Sequence, residues 1–334
     1  VTLIVLLVTV LVTVILFSLG TGAVRVSPGA ILSALLGNHP LTSTQMIILL
    51  QIRLPRILAA GVVGAALAVS GLMFQGLFRN PLADPYVIGS SGGAVLGACI
   101  GIFFFSQLSL FGFSATTLLA FAGSVATMVI VYWLARNNGR TNVVTLLLAG
   151  FAVSTMLGYS SYFFEAFDSG SGTNHLILLS WLHGVIGIPR WPQLVVTGTL
   201  LLFAAMIAMP MMRRLNTLAL GDEYAHQLGL RVEYTRVGII LTGSLLTAVA
   251  VSLGGLISFA GLLVPHVARL ILGPDHVRLL PVTALSGAIF VIVADTLARS
   301  LFAPTEIPVG ILMAFLGGPF FLYLLRKTKR SYVL

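Results

Sequence analysis

Long apolar runs broken by short polar punctuation organise this chain from one end to the other. They fall at roughly 2–22, 56–76, 86–105, 113–135, 143–166, 192–212, 237–255, 256–272, 281–300 and 307–325. About 20 residues at 1.5 Å rise cross the ~30 Å hydrocarbon layer of a bilayer, so each run predicts a spanning helix. The stretch 237–272 has no polar break, only SLGG at 252–255, where glycines allow a tight reversal. With that reversal the chain has ten spans. Without it there are nine, and the tail lies across the membrane from the N-terminus. The opening VTLIVLLVTVLVTVILFSLG has the apolar character of a signal-peptide core, but it is long enough to span and lacks an A-x-A site, so it reads as the first span.

Composition agrees with the pattern. Of 334 residues, 58% are hydrophobic and 8% charged, with a mean hydropathy of +1.06; soluble domains carry about 25% charged residues. The expected fold class is all-α, a polytopic membrane protein of about ten transmembrane helices forming a single domain over 1–334. The net charge of +9 does not make a nucleic-acid surface, because the only lysines are Lys327 and Lys329 and the arginines are scattered. It acts on topology instead. Ten spans with both termini inside place Arg79, Arg136, Arg140, Arg213, Arg214, Arg231, Arg236, Arg269, Arg278, Arg326, Lys327, Lys329 and Arg330 inside, and Arg25, Arg53, Arg56, Arg190 and Arg299 outside. That imbalance satisfies the positive-inside rule, which a nine-span count would not do for the RKTKR tail. The single Cys99 excludes an intrachain disulfide and a cysteine-based metal cluster, and it reads as a small packing residue.

Two extramembrane pieces exceed simple turns. The outer segment 27–52 offers Ser27-Pro28 as a helix start, followed by AILSALL and Gly37. The inner segment 215–236 offers Asp222 as a cap and Gly229 as a stop, with Leu218, Leu220, Ala225 and Leu228 as apolar contacts. Residues of this kind suit either a docking helix for a soluble partner or a helix lying on the membrane surface. Asn80-Pro81-Leu82-Ala83-Asp84-Pro85 carries two prolines in six residues and predicts a stiff, non-helical inner turn.

Chemistry is sparse. No G-x-x-x-x-G-K-[ST] phosphate loop exists, and the histidines (His39, His175, His183, His226, His266, His276) form no H-E-x-x-H or comparable ligand pair. His175 and His183 flank a short outer helix and need not share a target. Charged groups inside spans are expensive against lipid. Asp295 and Arg299, four apart, can meet on one helix face, and Glu165 and Asp168 close the fifth span. Pro265 in GLLVPHVAR predicts a kink that frees the Gly261 carbonyl. Gly61–Gly64, Gly97–Gly101 and Gly317-Gly318 predict close helix approaches.

Several long segments carry a resemblance: RLPRILAAGVVGAALAVSGLMFQGLFRNPLADPYVIGSSGGA (53–94), LLLAG (146–150), LSWLHG (179–184), ALGDEYAHQLGL (219–230), GLISFAGLLVPHVARLILGPDH (255–276), ADTLAR (294–299) and EIPVGILMAFLGGPFFLYLL (306–325). In order and over nearly the whole chain, they resemble the FecCD-type permeases, membrane subunits of bacterial ABC importers for iron–siderophores, haem and cobalamin. The resemblance implies a cobalamin-importer-like (type II) fold in the inner membrane. It also implies a homodimer, two cytoplasmic ATPase subunits that use ATP and Mg, and a periplasmic substrate-binding protein; this chain itself would hold no cofactor or metal and catalyse nothing. The segment 215–231 matches the family's coupling helices, through Leu218, Gly221, Asp222, Glu223, Ala225, Leu228 and Gly229. Arg53, Arg56 and Arg299 match arginines that receive acidic residues of the binding protein. Asn80, Pro81 and Leu82 match the inner gate loop, and Thr141 and Asn142 lie in the second gate region, 141–145. The implied mechanism is alternating access. Within the family the chain looks most like the haem-import permeases of Gram-negative bacteria, with ferric siderophores and cobalamin as the alternative cargoes. The rival class is an ion-coupled secondary transporter, which would need a coupling acid near mid-membrane; Asp295, near the outer end of its span, is the only candidate. A channel would need a selectivity constriction, and no TVGYG-like run occurs.

Overall fold

The computed structural model describes residues 2–22, 26, 29, 42–110, 112–137, 140–167, 172–303 and 305–329. The helix start at Ser27-Pro28, Arg25, Asp168 and Arg330 lie outside them. Nearly everything described is helical. The helices are α1 (Thr2–Gly20), α2 (Ser43–Leu77), α3 (Ser90–Phe104), α4 (Ala115–Ala135), α5 (Val143–Gly158), α6 (Ser160–Phe167), α7 (Thr173–Leu182), α8 (Trp191–Leu218), α9 (Asp222–Gln227), α10 (Val232–Gly254), α11 (Ala260–Leu272), α12 (His276–Ser300) and α13 (Val309–Lys329). Two short hairpins join them: β1 (Ser109–Leu110) with β2 (Phe113–Ser114), and β3 (Arg136–Asn137) with β4 (Arg140–Thr141).

Seven helices are long and apolar enough to cross a bilayer, and three shorter apolar ones, Ser90–Phe104, Ala260–Leu272 and the described part of α13, bring the set to the ten that the hydropathy pattern predicts. The doubtful stretch 237–272 does reverse. α10 ends at Gly254, and Gly255 takes φ +65, a left-handed conformation that a side chain would resist. α11 then starts at Ala260 behind Phe259, which is itself left-handed at φ +66.

Other boundaries differ from the pattern, each for a local reason. The second helix begins thirteen residues before Arg56, at Ser43, where Thr42 and Gln45 form a reciprocal capping box. Pro55 would break this helix by lacking an N–H for the Gln51 carbonyl. The chain absorbs the break as a π segment, Ile48–Arg53, in which the Leu54 N–H reaches five residues back to Leu49. The fifth span is two helices that meet at Tyr159. The third is only 15 residues long, because Asp84 caps a 3₁₀ turn, Pro85–Ile88, ahead of it.

The core is built around α2 and α10, the most buried of the long helices. Ile57, Leu67, Leu72, Met73 and Phe74 of α2 pack with Ile239 and Leu246 of α10 and with Leu279 and Val291 of α12. Glycine sets how close these helices come. A Cβ on Gly64 would lie 2.1 Å from the Gly287 carbonyl oxygen, and one on Gly287 would lie 2.4 Å from that of Gly64, so α2 and α12 touch backbone to backbone. Gly97 and Gly101 bring α3 similarly close to the backbone of Leu119 and Thr116 of α4, whereas Gly61 meets only side chains, those of Ile292 and Ala288. The carbonyl of Gly261, left without its helical donor by Pro265, lies against Gly71 of α2. Outward, Phe17, Trp133, Leu202, Met206 and Leu270 are exposed on helix faces, an arrangement suited to lipid.

Candidate functional site

Polar side chains gather at the two ends of the bundle. Cross-helix contacts set the grouping. Arg53 donates to the Leu19 carbonyl at 2.6 Å and Arg299 to Ser18 at 2.9 Å, which brings together the ends of α1, α2 and α12. At the other end, Asn216 of α8 donates to Asp275, the cap of α12, at 2.7 Å and holds that carboxyl below its ordinary range. These are the helix ends that ten alternating spans place on common sides.

The end carrying most arginines contains the predicted gate and coupling residues. α2 finishes at Leu77 in a Schellman-type turn, with the Arg79 N–H to Gly76 O (3.3 Å) and the Asn80 N–H to Gln75 O (3.1 Å). The left-handed position of such a turn normally holds glycine. Here it holds Arg79, at φ +49. Its guanidinium secures the strained backbone by donating to the last carbonyl of α8, Leu218 O, at 2.6 Å and to Asp222 Oδ1 at 2.7 Å. Beyond it, Asn80 Oδ1 accepts the Leu82 N–H at 2.9 Å and fixes the turn that Pro81 stiffens. Asp84, held in this loop, is pushed up to about 6 by burial.

Asp222 has a second partner. Its Oδ2 accepts a short bond from Arg236 of α10, whose other amino group donates to the Thr141 carbonyl at 3.1 Å. Glu233, one turn earlier on α10, accepts both the Thr141 N–H, at 3.0 Å, and the Thr141 hydroxyl. The adjacent Asn142 caps α5 by accepting the N–H groups of Val144 and Thr145. A cavity of about 180 Å³ lies at this junction, between Leu77, Phe78, Val143 and the Asp222 cluster.

The segment around α9 divides into two faces. Leu220, Tyr224 and Leu228 are 63%, 65% and 67% exposed. Leu218 and Ala225 are buried in the chain's own core, so they cannot supply the contact surface expected of them. The helical spacing explains the correction: Ala225 follows Tyr224 by one position, about 100° round the helix, and is turned off the exposed side into the core. Tyr224, not singled out among the apolar contacts, completes an exposed apolar stripe with Leu220, just before α9, and Leu228, just after it. Gly221 and Gly229, both at positive φ, bound the short helix, with Asp222 and Glu223 in its first turn.

At the opposite end Asp295 is the hub. Arg56 Nη2 lies 3.0 Å from its Oδ1 and Arg299 Nε 3.4 Å from its Oδ2, while Arg56 Nη1 donates to Glu306 at 2.8 Å. The pairing of Asp295 with Arg299 is thus present, and Arg56, 239 positions away in sequence, completes it. Arg53, Arg56 and Arg299 are all buried, each holding partners in its own chain. As receiving points for a partner's acids they are turned inward here, because each guanidinium answers a carbonyl or carboxylate of a neighbouring helix. Arg190 is exposed at this same end and lines an open pocket of about 450 Å³ with Ser106, Gln107, Ser114 and Gln193. His175 faces Glu165 at 3.6 Å and His183 the Leu179 carbonyl at 2.7 Å, so the two histidines serve different partners. Cys99 is buried among Val95, Ile102 and Leu178, as its packing role requires.

The sequence profile of the FecCD transport family matches residues 10–327. The chain belongs to the FecCD transport family. Among curated FecCD-type relatives, the hemin transport system permease protein HmuU of Yersinia pestis is 42% identical over 285 residues, covering 84% of each chain. The cobalamin import system permease protein BtuC of Halobacterium salinarum is also 42% identical, over 86% of this chain and 75% of its own. The iron(3+)-hydroxamate import system permease protein FhuG of Bacillus subtilis is 34% identical over 98% of both. A solved structure described as an inward-facing metal-chelate type ABC transporter superposes with a TM-score of 0.82 at 31% identity, covering 98% of this chain and 99% of that one. FecCD membership and this likeness make the chain a membrane-embedded transport subunit with an all-α permease fold.

Proposed function

We propose that the chain is the permease of an ATP-driven importer, passing haem across the inner membrane by alternating access as a homodimer with both termini cytoplasmic. The observation that carries the reading is α9. A six-residue helix presents Tyr224 between the flanking Leu220 and Leu228, all three exposed, while its first residue is bonded to the turn after α2 and, through Arg236, to the start of α5. A helix that only joined two spans would need none of these links. A soluble ATPase subunit fits the stripe, since the chain carries no phosphate loop of its own. ATP and Mg belong to that partner. Docking and ATP binding drive transport only in so far as each prefers one conformation of the permease over the other.

α5 supports the dimer. Val144, Leu148, Phe151 and Met156 form an exposed apolar stripe along one face, which a second copy covers while enclosing the pathway. Haem is placed first as cargo; the hemin permease, 42% identical, supports it no more than the equally identical cobalamin permease supports cobalamin. Haem's large apolar ring suits a path with few charges. Ferric siderophores and cobalamin are the alternative cargoes, supported by the FhuG and BtuC relatives. A periplasmic binding protein delivers the cargo to the end where Arg53, Arg56, Arg190 and Arg299 lie.

The test is reconstitution of the chain with its ATPase subunits and binding protein in vesicles, with haemin, a ferric hydroxamate and cyanocobalamin offered separately. ATP-dependent uptake of haemin above the other two is expected. Preference for another of the three changes the cargo, and uptake without ATP or the ATPase subunits overturns the importer reading in favour of an ion-coupled transporter.

A further inference from the structure

We infer that Asp222 is the positioning residue through which movement of the docking helix α9 is passed to both loops at the basic end of the bundle; this rests on the importer reading above. Its two carboxylate oxygens are divided. Oδ1 takes Arg79, next to Asn80-Pro81-Leu82, and Oδ2 takes Arg236, which holds the Thr141 carbonyl. One side chain on a partner-facing helix therefore reaches two loops that lie 62 positions apart in sequence and, among the described residues, make no other side-chain hydrogen bond to α9.

Three features separate this from an ordinary surface ion pair. First, Arg79 sits left-handed at φ +49 in a turn where glycine is the usual residue. Strain of that kind persists only where neighbouring contacts hold it, and those contacts are Leu218 O and Asp222. A displacement of α9 acts first on the backbone torsion of Arg79, two residues before Pro81. Second, both guanidinium groups lie on a single carboxylate, and the nearby Glu233 is already occupied by Thr141. Removing the charge at 222 leaves two cations facing each other, and the loops part instead of following the docking helix. Third, the cavity of about 180 Å³ at the junction, lined by Leu77, Phe78, Val143 and Leu218, gives these side chains room to move together.

The test is made on the complete importer in vesicles, using whichever of haemin, a ferric hydroxamate or cyanocobalamin the wild type imports. The readout is ATP hydrolysed per cargo molecule accumulated. Asp222→Asn should raise that ratio about tenfold, and Asp222→Glu, which keeps the charge, should restore it to within about twofold. Arg79→Gly, which removes one link while relieving the strained backbone and so carries no folding hazard, should raise it as well. An unchanged ratio in Asp222→Asn or in Arg79→Gly overturns the inference. So does failure of the ATPase subunits to co-purify with Asp222→Asn, which would make Asp222 a docking contact. If wild-type vesicles take up none of the three cargoes on addition of ATP, the importer reading falls and takes this inference with it. If the wild type imports normally and the variants match it, only the inference falls.

Discussion

Each end of the bundle is organised by one aspartate between two arginines, and the two sites are built to opposite purposes. Asp295 is 1% exposed and its arginine partners 10% and 7% at the side chain. Asp222 is 45% exposed, between Arg79 at 46% and Arg236 at 17%. In the first, removing one member strands charges that are almost wholly buried. In the second, water screens the pairs and little folding energy rests on them. A buried cluster that ties α2 to α12 and to the segment before α13 resists change, whereas a wetted cluster can be remade repeatedly at low cost. The difference assigns rigidity to one end and transmission to the other.

The sharpest way to break that contrast is to delete each hub. Asp295→Ala leaves Arg299 buried without its acid and Arg56 with only the half-exposed Glu306, and should cost about 3–5 kcal/mol of stability. Asp222→Ala should cost less than about 1 kcal/mol. Thermal unfolding in detergent compares the two, and equal losses would erase the distinction. Next in size is a pair within the basic end. Ala225→Asp buries a carboxylate in the core and should destabilise by roughly 2 kcal/mol or more. Leu228→Asp, on the exposed face, should leave unfolding unchanged and abolish co-purification of the ATPase subunits. Normal docking by Leu228→Asp would remove the partner surface from this helix.

A smaller effect separates the loop from the clusters. Burial raises Asp84 from 3.8 to about 6, so between those values the folded chain keeps a proton that the unfolded chain has released. Stability should therefore rise as pH falls from about 6 to about 4, and Asp84→Asn should flatten that slope. A slope unaltered by the substitution would assign it to other groups. The smallest shift is expected from Arg79→Gly. Relief of a left-handed arginine gains about 1–2 kcal/mol and loss of its half-exposed bonds offsets much of it, so unfolding should move by about 1 kcal/mol or less while coupling suffers.

What could be read from the chain followed the physics of single helices. Ten apolar runs, the reversal at Gly254-Gly255, the non-helical Asn80–Pro85 turn and the Asp295–Arg299 pair are all set by neighbours within a few residues. Arg56 as the third member of the Asp295 cluster was not legible, since a separation of 239 positions carries no periodic signal of the contact. Nor was the inward turn of Ala225 and Leu218. Apolar residues in a short amphipathic segment look alike until the rest of the protein claims one face. The sequence does carry one signal of the strained turn: α2 is followed by Phe78-Arg79-Asn80-Pro81 without a glycine, and a long helix stopping so abruptly before proline needs some residue to take the left-handed position.

The backbone contact between Gly64 and Gly287 has a further consequence for how the bundle can move. Carbonyls meeting the facing glycine across a gap with no side chain leave α2 and α12 no layer on which to slide or roll. One end of this joint is fastened by Arg56 and Asp295. The two helices therefore behave as a single strut, and under the proposed alternating access the rearrangement would be taken up by lightly packed helices such as α5 swinging against it.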